Sequence, residues 1–167
     1  TVVFDGGSVQ VSTVDASFGG TISSITIASG YTGTLFVERS LSVSSTFYQE
    51  GGIFDGTNQA ITIAGNFDLA GGTFTSTSDN LTLSNAHVLF ATAAVFEHNN
   101  GTVSLVGCLN PVYIDVAGTE TFFNFHANKC NTKDVELSGD TWVILGTFTH
   151  TKSQLNDGTI EIRNGLH

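Results

Sequence analysis

The sequence predicts an all-β fold: a single-stranded parallel β-helix (β-solenoid), right-handed, with roughly 20 residues in each turn of the coil, or rung. Residues 51–91 match themselves after a shift of 20, which places Gly71 on Gly51 and Phe74 on Phe54. Short apolar–polar–apolar segments, typical of half-buried strands, recur between Gly, Asn and Asp turns. No segment shows convincing helical periodicity.

Most of the predicted strands are three to five residues long, too short for the paired strands of a hairpin meander. The first follows a tight turn at Asp5-Gly6, and a turn at Asp157-Gly158 precedes the last. In chain order the predicted strands cover 9–14, 25–27, 35–37, 41–43, 61–63, 81–83, 103–105, 112–116, 122–127, 135–137, 142–145, 146–149 and 160–162.

The repeat predicts that equivalent positions stack from rung to rung. In a parallel β-helix the chain returns beside itself about 4.8 Å further along the axis, so residues one period apart lie one above another. We expect Leu41, Ile61 and Leu81 to form an interior aliphatic ladder, and Phe54 and Phe74 an aromatic one. An outer hydroxyl ladder is expected to consist of Ser42, Thr62 and Thr82.

The chain of 167 residues is long enough for one solenoid domain, 1–167, with regular rungs over about 41–106 and less regular ones over 107–167. At about 20 residues a rung it provides roughly eight rungs and a rod about 40 Å long. The alternative is an antiparallel β-sandwich in which the repeat is accidental.

The charge balance argues against two classes of partner. The net charge is −10, with only five Lys and Arg residues, whereas nucleic acid and anionic membrane surfaces bind clusters of basic residues. The longest nearly apolar run, 88–96, is too short to span a bilayer, so membrane insertion is not expected. The chain contains no Met, which indicates a secreted, extracellular or cell-surface protein with a processed N-terminus, or an excised fragment.

The two cysteines, Cys108 and Cys130, are expected to form one disulfide, because an even count in a Lys-poor, Ser/Thr-rich chain is typical of exported proteins. The bond would close a loop of 22 residues, and the chain-entropy account gives about 3 kcal/mol for such a loop. The alternative is two unpaired, small apolar side chains in adjacent strands.

The second half of the chain resembles the repeats of large bacterial surface proteins. The segment 118–129, the strand 135–142 with its Leu-Ser-Gly, and the Gly-Thr-Phe at 146–148 resemble phrases that recur in the β-solenoid stalks of adhesins and autotransporter passengers. The resemblance covers roughly residues 51–165 and implies a solenoid architecture on a cell surface. The departures from the family's pattern are Phe125, His126, Ala127 and the two cysteines.

The sequence contains no catalytic motif, and enzymatic activity is not expected. Stacking could pair Glu38 or Asp68 with another carboxylate, as in a polysaccharide hydrolase, but nothing in the sequence selects such a pair. The five histidines share no metal-ligand spacing. We expect no cofactor; Asp55, Asp134 and Glu136 are weak candidates for Ca²⁺ ligands, although they follow no known calcium-loop pattern.

Two further kinds of site are indicated by residue type. Trp142 and Tyr113 are candidate contacts for surface glycans, provided that they lie on an outer face. For Trp142 the alternative is packing beside the apolar run 143–145. Asn80 and Asn100 begin the N-glycosylation sequons Asn-Leu-Thr and Asn-Gly-Thr, and Asn80 is expected to face outward.

These observations predict an extracellular structural protein, the β-solenoid subunit of a surface fibre, matrix or adhesin stalk, that self-associates end to end. A solenoid end exposes unpaired N–H and C=O groups unless it is covered, and neither 1–4 nor 160–167 has the pattern of an amphipathic capping helix. The expected partner is the chain itself or neighbouring repeats, with surface glycans as a further candidate. The alternative is a carbohydrate-binding or carbohydrate-cleaving β-helix domain.

Overall fold

Short β-strands and the turns between them make up the described part of the chain. The computed structural model describes residues 1–7, 9–84, 87–108, 112–130 and 134–163, with Val112, Tyr113 and Asp134 described by their backbone alone. No helix long and apolar enough to cross a membrane occurs among these residues. Their strands are β1 (Val2–Phe4), β2 (Ser12–Val14), β3 (Thr21–Ile22), β4 (Ile25–Ile27), β5 (Thr34–Val37), β6 (Leu41–Val43), β7 (Phe47–Gln49), β8 (Ile53–Asp55), β9 (Ile61–Ile63), β10 (Phe67–Leu69), β11 (Gly72–Thr75), β12 (Asn80–Leu83), β13 (Val88–Phe90), β14 (Ala94–Glu97), β15 (Thr102–Gly107), β16 (Val112–Asp115), β17 (Thr119–Phe122), β18 (Asn124–Lys129), β19 (Asp134–Glu136), β20 (Thr141–Ile144), β21 (Phe148–Lys152), β22 (Gln154–Asn156) and β23 (Thr159–Ile162).

Every third strand belongs to the same face of a three-sided coil. Face 1 is an eight-stranded sheet that runs from β1 to β22, and face 3 is a seven-stranded sheet that runs from β3 to β21. Face 2 is divided into a five-stranded sheet, β2 to β14, and a three-stranded sheet, β17 to β23. Within each sheet, neighbouring strands are equivalent strands of successive rungs and pair in parallel. The predicted β-solenoid is therefore confirmed, and the antiparallel sandwich is excluded.

The coil has about seven turns of about 22 residues, close to the roughly 20 residues a rung and roughly eight rungs that the sequence predicts. The 20-residue step holds where the self-match was found, for example from Phe47 to Phe67 on face 1. The step from Val88 to Ile114 on the same face is 26 residues. The added residues lie between Leu105, the register partner of Leu83, and Ile114, and some of them make β15 longer than β12.

Apolar side chains stacked in columns fill the interior. Leu41, Ile61 and Leu81 are register partners and at most 2% exposed, as the sequence predicted. The rings of Phe54 and Phe74 stack with centroids 4.7 Å apart and planes 3° from parallel. Burying a side chain of this size stabilises the fold by roughly 1.5–3 kcal/mol, so the columns are the main source of stability. The aromatic column continues through Phe90, Phe96, Phe122, Phe125 and Trp142.

Outward positions and corners also follow the sequence pattern. Ser42, Thr62 and Thr82 are register partners on face 3, which confirms the outer hydroxyl ladder. At the Gly-Gly corners the rungs approach closely: a Cβ on Gly72 would lie 2.6 Å from the carbonyl oxygen of Gly51. Gly72 also has a φ of 73°, in the left-handed region that favours glycine. The second glycine of the repeat therefore permits the close approach of two rungs.

The division of face 2 marks the least regular part of the rod. β14 pairs with β11 on one side, whereas β17 begins a separate sheet. Side-chain rings bridge the division: the centroids of Phe96 and Phe122 lie 5.6 Å apart, and the His98 and Phe123 rings stack at 5.7 Å. Packing of rings thus continues the core where the backbone ladder is interrupted.

Candidate functional site

Exposed apolar side chains concentrate in the first rung, residues 2–22. Seven large apolar side chains are exposed among the described residues, and four of them belong to this rung: Val2, Val3, Val9 and Val11, with exposed fractions of 38–64%. Contiguous exposed apolar surface on a soluble protein commonly marks a contact site. The end of the solenoid is therefore the first candidate for a functional surface.

A cavity of about 220 Å³ opens at this end, with an almost wholly apolar lining. It arises because the interior columns begin here with no rung above them. Phe4, Val14, Phe18 and Ile22 pack against the core but remain partly exposed. We call these four residues the N-terminal face. The cavity lining consists of Val2, Phe4, Ser12, Thr13, Val14, Phe18, Ile22, Ile25, Leu35 and Leu41.

Two side chains of the second rung hold the first rung in place. The buried Tyr31 hydroxyl donates to the carbonyl oxygen of Gln10 at 2.7 Å. The Arg39 guanidinium donates to the carbonyl oxygens of Ala16, at 3.0 Å, and Phe18. The Ser17 hydroxyl and amide, with a smaller contribution from Arg39, hold the pKa of the nearby Asp15 carboxyl below its ordinary value. The second rung thus holds the backbone of the first rung in place, and the apolar side chains of the N-terminal face stay partly exposed.

The last rung, residues 148–162, also ends the core with partly exposed apolar side chains. Phe148, Leu155 and Ile160 pack against the interior without being fully covered, and we call them the C-terminal face. Just beyond it, the Arg163 Nε donates to the Glu161 carboxylate at 2.8 Å. Both ends of the described core thus present partly exposed apolar side chains close to charged residues.

The predicted disulfide is confirmed: Cys108 and Cys130 are bonded, with Cα atoms 4.8 Å apart. The two residues directly follow Gly107 and Lys129, which are register partners in β15 and β18. The bond therefore links two adjacent rungs at one corner, and its Cα separation equals the ordinary spacing of neighbouring strands.

The candidate glycan contact at Trp142 is wrong, because this side chain is 0% exposed. Its ring packs against Phe122 and Phe125 at centroid distances of 5.8 and 4.9 Å, so it continues the interior column and offers no outer surface to a sugar. The side chain of Tyr31 is also buried, at 1% exposed. The side chain of Tyr113 lies outside the described residues.

The weak Ca²⁺ candidates do not meet at one place. Asp55 lies in β8 on face 2, whereas Asp134 and Glu136 lie in β19 on face 1. The Asp55 carboxylate accepts a hydrogen bond from the amide of Thr57 at 2.9 Å, as in an ordinary turn. Within the described part of the chain, no three His, Cys, Asp or Glu side chains gather in an arrangement that could hold a metal ion.

The two sequon asparagines differ in their surroundings. Asn80 lies half-buried in β12, where its amide nitrogen donates to Thr82 at 3.0 Å and its oxygen accepts from Ser104 at 2.7 Å. Asn100 is exposed in a turn with a φ of 56°. Attachment of a glycan therefore remains a prediction, and Asn100 is the more accessible of the two.

Two buried ionisable groups were not indicated by the sequence. The Lys129 side chain is 0% exposed and its Nζ donates to the Val106 carbonyl oxygen at 3.1 Å. Burial lowers the pKa of Lys129 and raises the pKa of the half-buried Glu120 carboxyl. The strand alternation Phe125–Ala127–Lys129 is the only sequence signal that could have placed this lysine inside.

No family model, curated protein or solved structure matches the chain. The similarity to the stalks of bacterial surface proteins is therefore supported at the level of the solenoid architecture alone.

Proposed function

We propose that this protein is an extracellular structural protein: a β-solenoid subunit of a surface fibre, matrix or stalk that self-associates end to end. The observation that carries the proposal is the contrast between the middle and the ends of the core. Interior columns such as Phe47–Phe67 are fully buried in the middle, whereas the N-terminal and C-terminal faces are partly exposed. A surface of this kind is covered when another rung stacks on it.

Three properties support the structural and extracellular parts of the proposal. Successive parallel strands hydrogen-bonded rung to rung make the solenoid stiff along its axis. A disulfide between adjacent rungs suits an oxidising compartment. The net charge of −10 keeps the sides of neighbouring rods apart and leaves the ends as the preferred contacts.

Light scattering coupled to size separation, over a wide range of protein concentration, tests the self-association. The proposal predicts a mass that rises with concentration, and single-solenoid-wide filaments in negatively stained micrographs. A monodisperse monomer that persists at high concentration contradicts it. Labelling of intact against lysed cells with an antibody tests the location, and labelling that requires lysis contradicts an extracellular site.

A further inference from the structure

We propose that face 2 of the solenoid binds a β-sheet surface of another protein, one that presents aliphatic side chains beside Lys or Arg. The contact lies on the side of the rod, on strands β5, β8, β11 and β14. It is therefore separate from the proposed end-to-end association and does not depend on it.

The exposed aliphatic side chains of the middle rungs lie in one row of face 2. Among the described residues outside the first and last rungs, only two large apolar side chains are exposed: Ile53 at 41% and Val95 at 51%. Both are register partners of Thr73, and Ile53 is also the partner of Thr34. All four point outward, because each precedes a buried residue of its strand. We call them the β-branched row.

The β-branched row is suited to packing against a second sheet. Its members follow one another at the strand spacing of about 4.8 Å, and their χ1 angles are restricted, so contact immobilises few rotamers. Facing sheets pack about 10 Å apart with their side chains interdigitated. A partner sheet with the same strand spacing can therefore contact every member of the row. Phe36, half-buried on the same side of β5, extends the apolar surface beside Thr34.

Carboxylates border the β-branched row. Asp55 and Glu97 lie two residues after the exposed aliphatic side chains of β8 and β14 and point to the same side. Asp55 accepts from the Thr57 amide and Glu97 from the Thr75 hydroxyl, each at 2.9 Å, but within the described part of the chain neither forms an ion pair. The stretch 40–128 contains seven Asp and Glu residues and no Lys or Arg. The negative charge beside the row is therefore left for a partner to neutralise.

This charge pattern selects the occupant of the face. A second copy of the chain would bring an equally acidic face against it, and like charges across an interface oppose binding. Nucleic acid is repelled for the same reason. A sheet that carries Lys or Arg beside its aliphatic side chains matches both rows at once, because each basic group then meets a carboxylate while the aliphatic groups pack together.

An NMR titration of the isotope-labelled protein with an unlabelled, charge-reversed copy of the chain tests the inference. The copy, Asp55→Lys/Glu97→Lys, keeps the β-branched row and carries Lys in place of the two carboxylates. It is expected to shift the amide signals of β5, β8, β11 and β14 in the native protein. The shifts are expected to shrink as salt is added, because exposed charges are screened. Unlabelled native protein at the same concentration is expected to leave these signals unchanged.

Two further copies separate apolar contact from charge. Adding Ile53→Ser/Val95→Ser to the charge-reversed copy keeps its charge and removes its aliphatic groups, and is expected to weaken binding at least tenfold. Asp68→Lys/Asp115→Lys makes the same change of charge at outward positions of face 1. This control copy is expected to leave the signals of face 2 in place.

The outcomes distinguish this contact from the end-to-end association. Equal binding with and without the aliphatic groups shows that charge alone attracts the copy, and overturns the inference. Shifts on face 2 caused by native protein identify a second copy as the occupant and overturn it as well. Shifts confined to the end rungs, or none at all, also overturn it, and only the former support the proposed function.

A second charge-reversed copy guards against misfolding of the first. Asp55→Lys removes the acceptor of the Thr57 amide, whereas Thr75→Lys/Glu97→Lys keeps that turn intact and places both Lys residues beside the β-branched row. The same shifts on face 2 are expected with this copy, and their absence contradicts the inference.

Discussion

The side chain of Asn99 joins three successive rungs at one corner. Its Nδ2 donates to the carbonyl oxygens of Ser76, one rung before, at 3.0 Å, and of Thr57, two rungs before, at 2.9 Å. Asn99 also has a φ of 48°, a conformation that Asn tolerates better than most residues. The Thr57 carbonyl oxygen also accepts from the amide of Ser78 at 2.9 Å, so Asn99 adds a second donor there and supplies a side-chain donor to the Ser76 carbonyl oxygen.

We predict that Asn99→Ala lowers the free energy of unfolding by about 1–3 kcal/mol more than Asn100→Ala does, because it leaves two partly buried carbonyl groups without this donor. Asn100 is the matched control: it has a similar φ of 56° but is exposed. Urea denaturation of the two variants measures the difference. Equal free energies of unfolding would contradict the role assigned to Asn99.

At Lys129, the in–out alternation of strand side chains predicts a buried position, whereas lysine residues in general prefer solvent. The inward positions of β18 are Phe125, Ala127 and Lys129, and the lysine follows its strand into the interior. Lysine is almost never fully buried without a partner, so residue type alone places it in solvent. Its hydrogen bond to Val106 satisfies one of three N–H groups.

We predict that Lys129→Met raises the melting temperature at pH 7, since burial disfavours the charged amine and lowers its pKa. Between the lowered pKa of Lys129 in the folded state and the ordinary lysine pKa of about 10.4, the unfolded chain binds more protons than the folded chain. The free energy of unfolding therefore increases as pH rises through this range. The advantage of the Met variant is therefore expected to shrink towards pH 10.

Thermal melts of both proteins at several pH values measure this trend. Lys152→Met, at an exposed position of β21, serves as the control and is expected to leave the melting temperature nearly unchanged. A Lys129→Met protein that is less stable than the native chain at pH 7 would contradict the account.

At the scale of elements, the disulfide lies where the solenoid is least regular. The bond between Cys108 and Cys130 joins β15 to β18 on face 3, while on face 2 the ladder is interrupted between β14 and β17. The same part of the chain contains the 26-residue step from Val88 to Ile114. We expect this covalent link between adjacent rungs to compensate for the backbone pairs that are missing on face 2.

We predict that the double variant Cys108→Ser/Cys130→Ser loses about 3 kcal/mol of stability, the chain-entropy value for a closed loop of this length. Chemical denaturation under non-reducing conditions measures the loss. In the presence of a reductant, the free energy of unfolding of the native protein is expected to fall to that of the variant. The reductant is expected to leave the free energy of unfolding of the variant unchanged. If native and variant proteins unfold at the same denaturant concentration before reduction, the compensating role is excluded.

The regular elements could be predicted from the sequence, because the self-match at 20 residues places Leu41, Ile61 and Leu81 in one column without further information. The division of face 2 could not, since it depends on how added residues are accommodated at a corner. The same limit applies to Trp142: an aromatic residue suits both an outer sugar contact and an inner column, and only the packing of Phe122 and Phe125 decides between them.

For the whole molecule, the two ends are expected to be less protected than the middle. Their strands have neighbours on one side only, and their apolar side chains are partly exposed. A solenoid in which each rung contacts only its neighbours opens from its ends. The proposed end-to-end stacking of subunits is therefore expected to stabilise the first and last rungs and to leave the middle unchanged.

Hydrogen exchange at low and high protein concentration tests this distribution. Amides of the first rung, 2–22, and of the last rung, 148–162, are expected to exchange more slowly as concentration rises, while those of β7 to β12 do not change. Slowed exchange in the middle strands alone would indicate lateral contact between rods and contradict end-to-end association.

The most direct test of the account is X-ray fibre diffraction from filaments aligned at high protein concentration. The proposed end-to-end stacking keeps every strand roughly perpendicular to the filament axis, so the strand spacing of about 4.8 Å is predicted on the meridian. About seven rungs per subunit at that spacing predict an axial repeat of about 34 Å. A 4.8 Å reflection on the equator, or aggregates that give no oriented pattern, would contradict the central claim that these solenoids extend one another along a common axis.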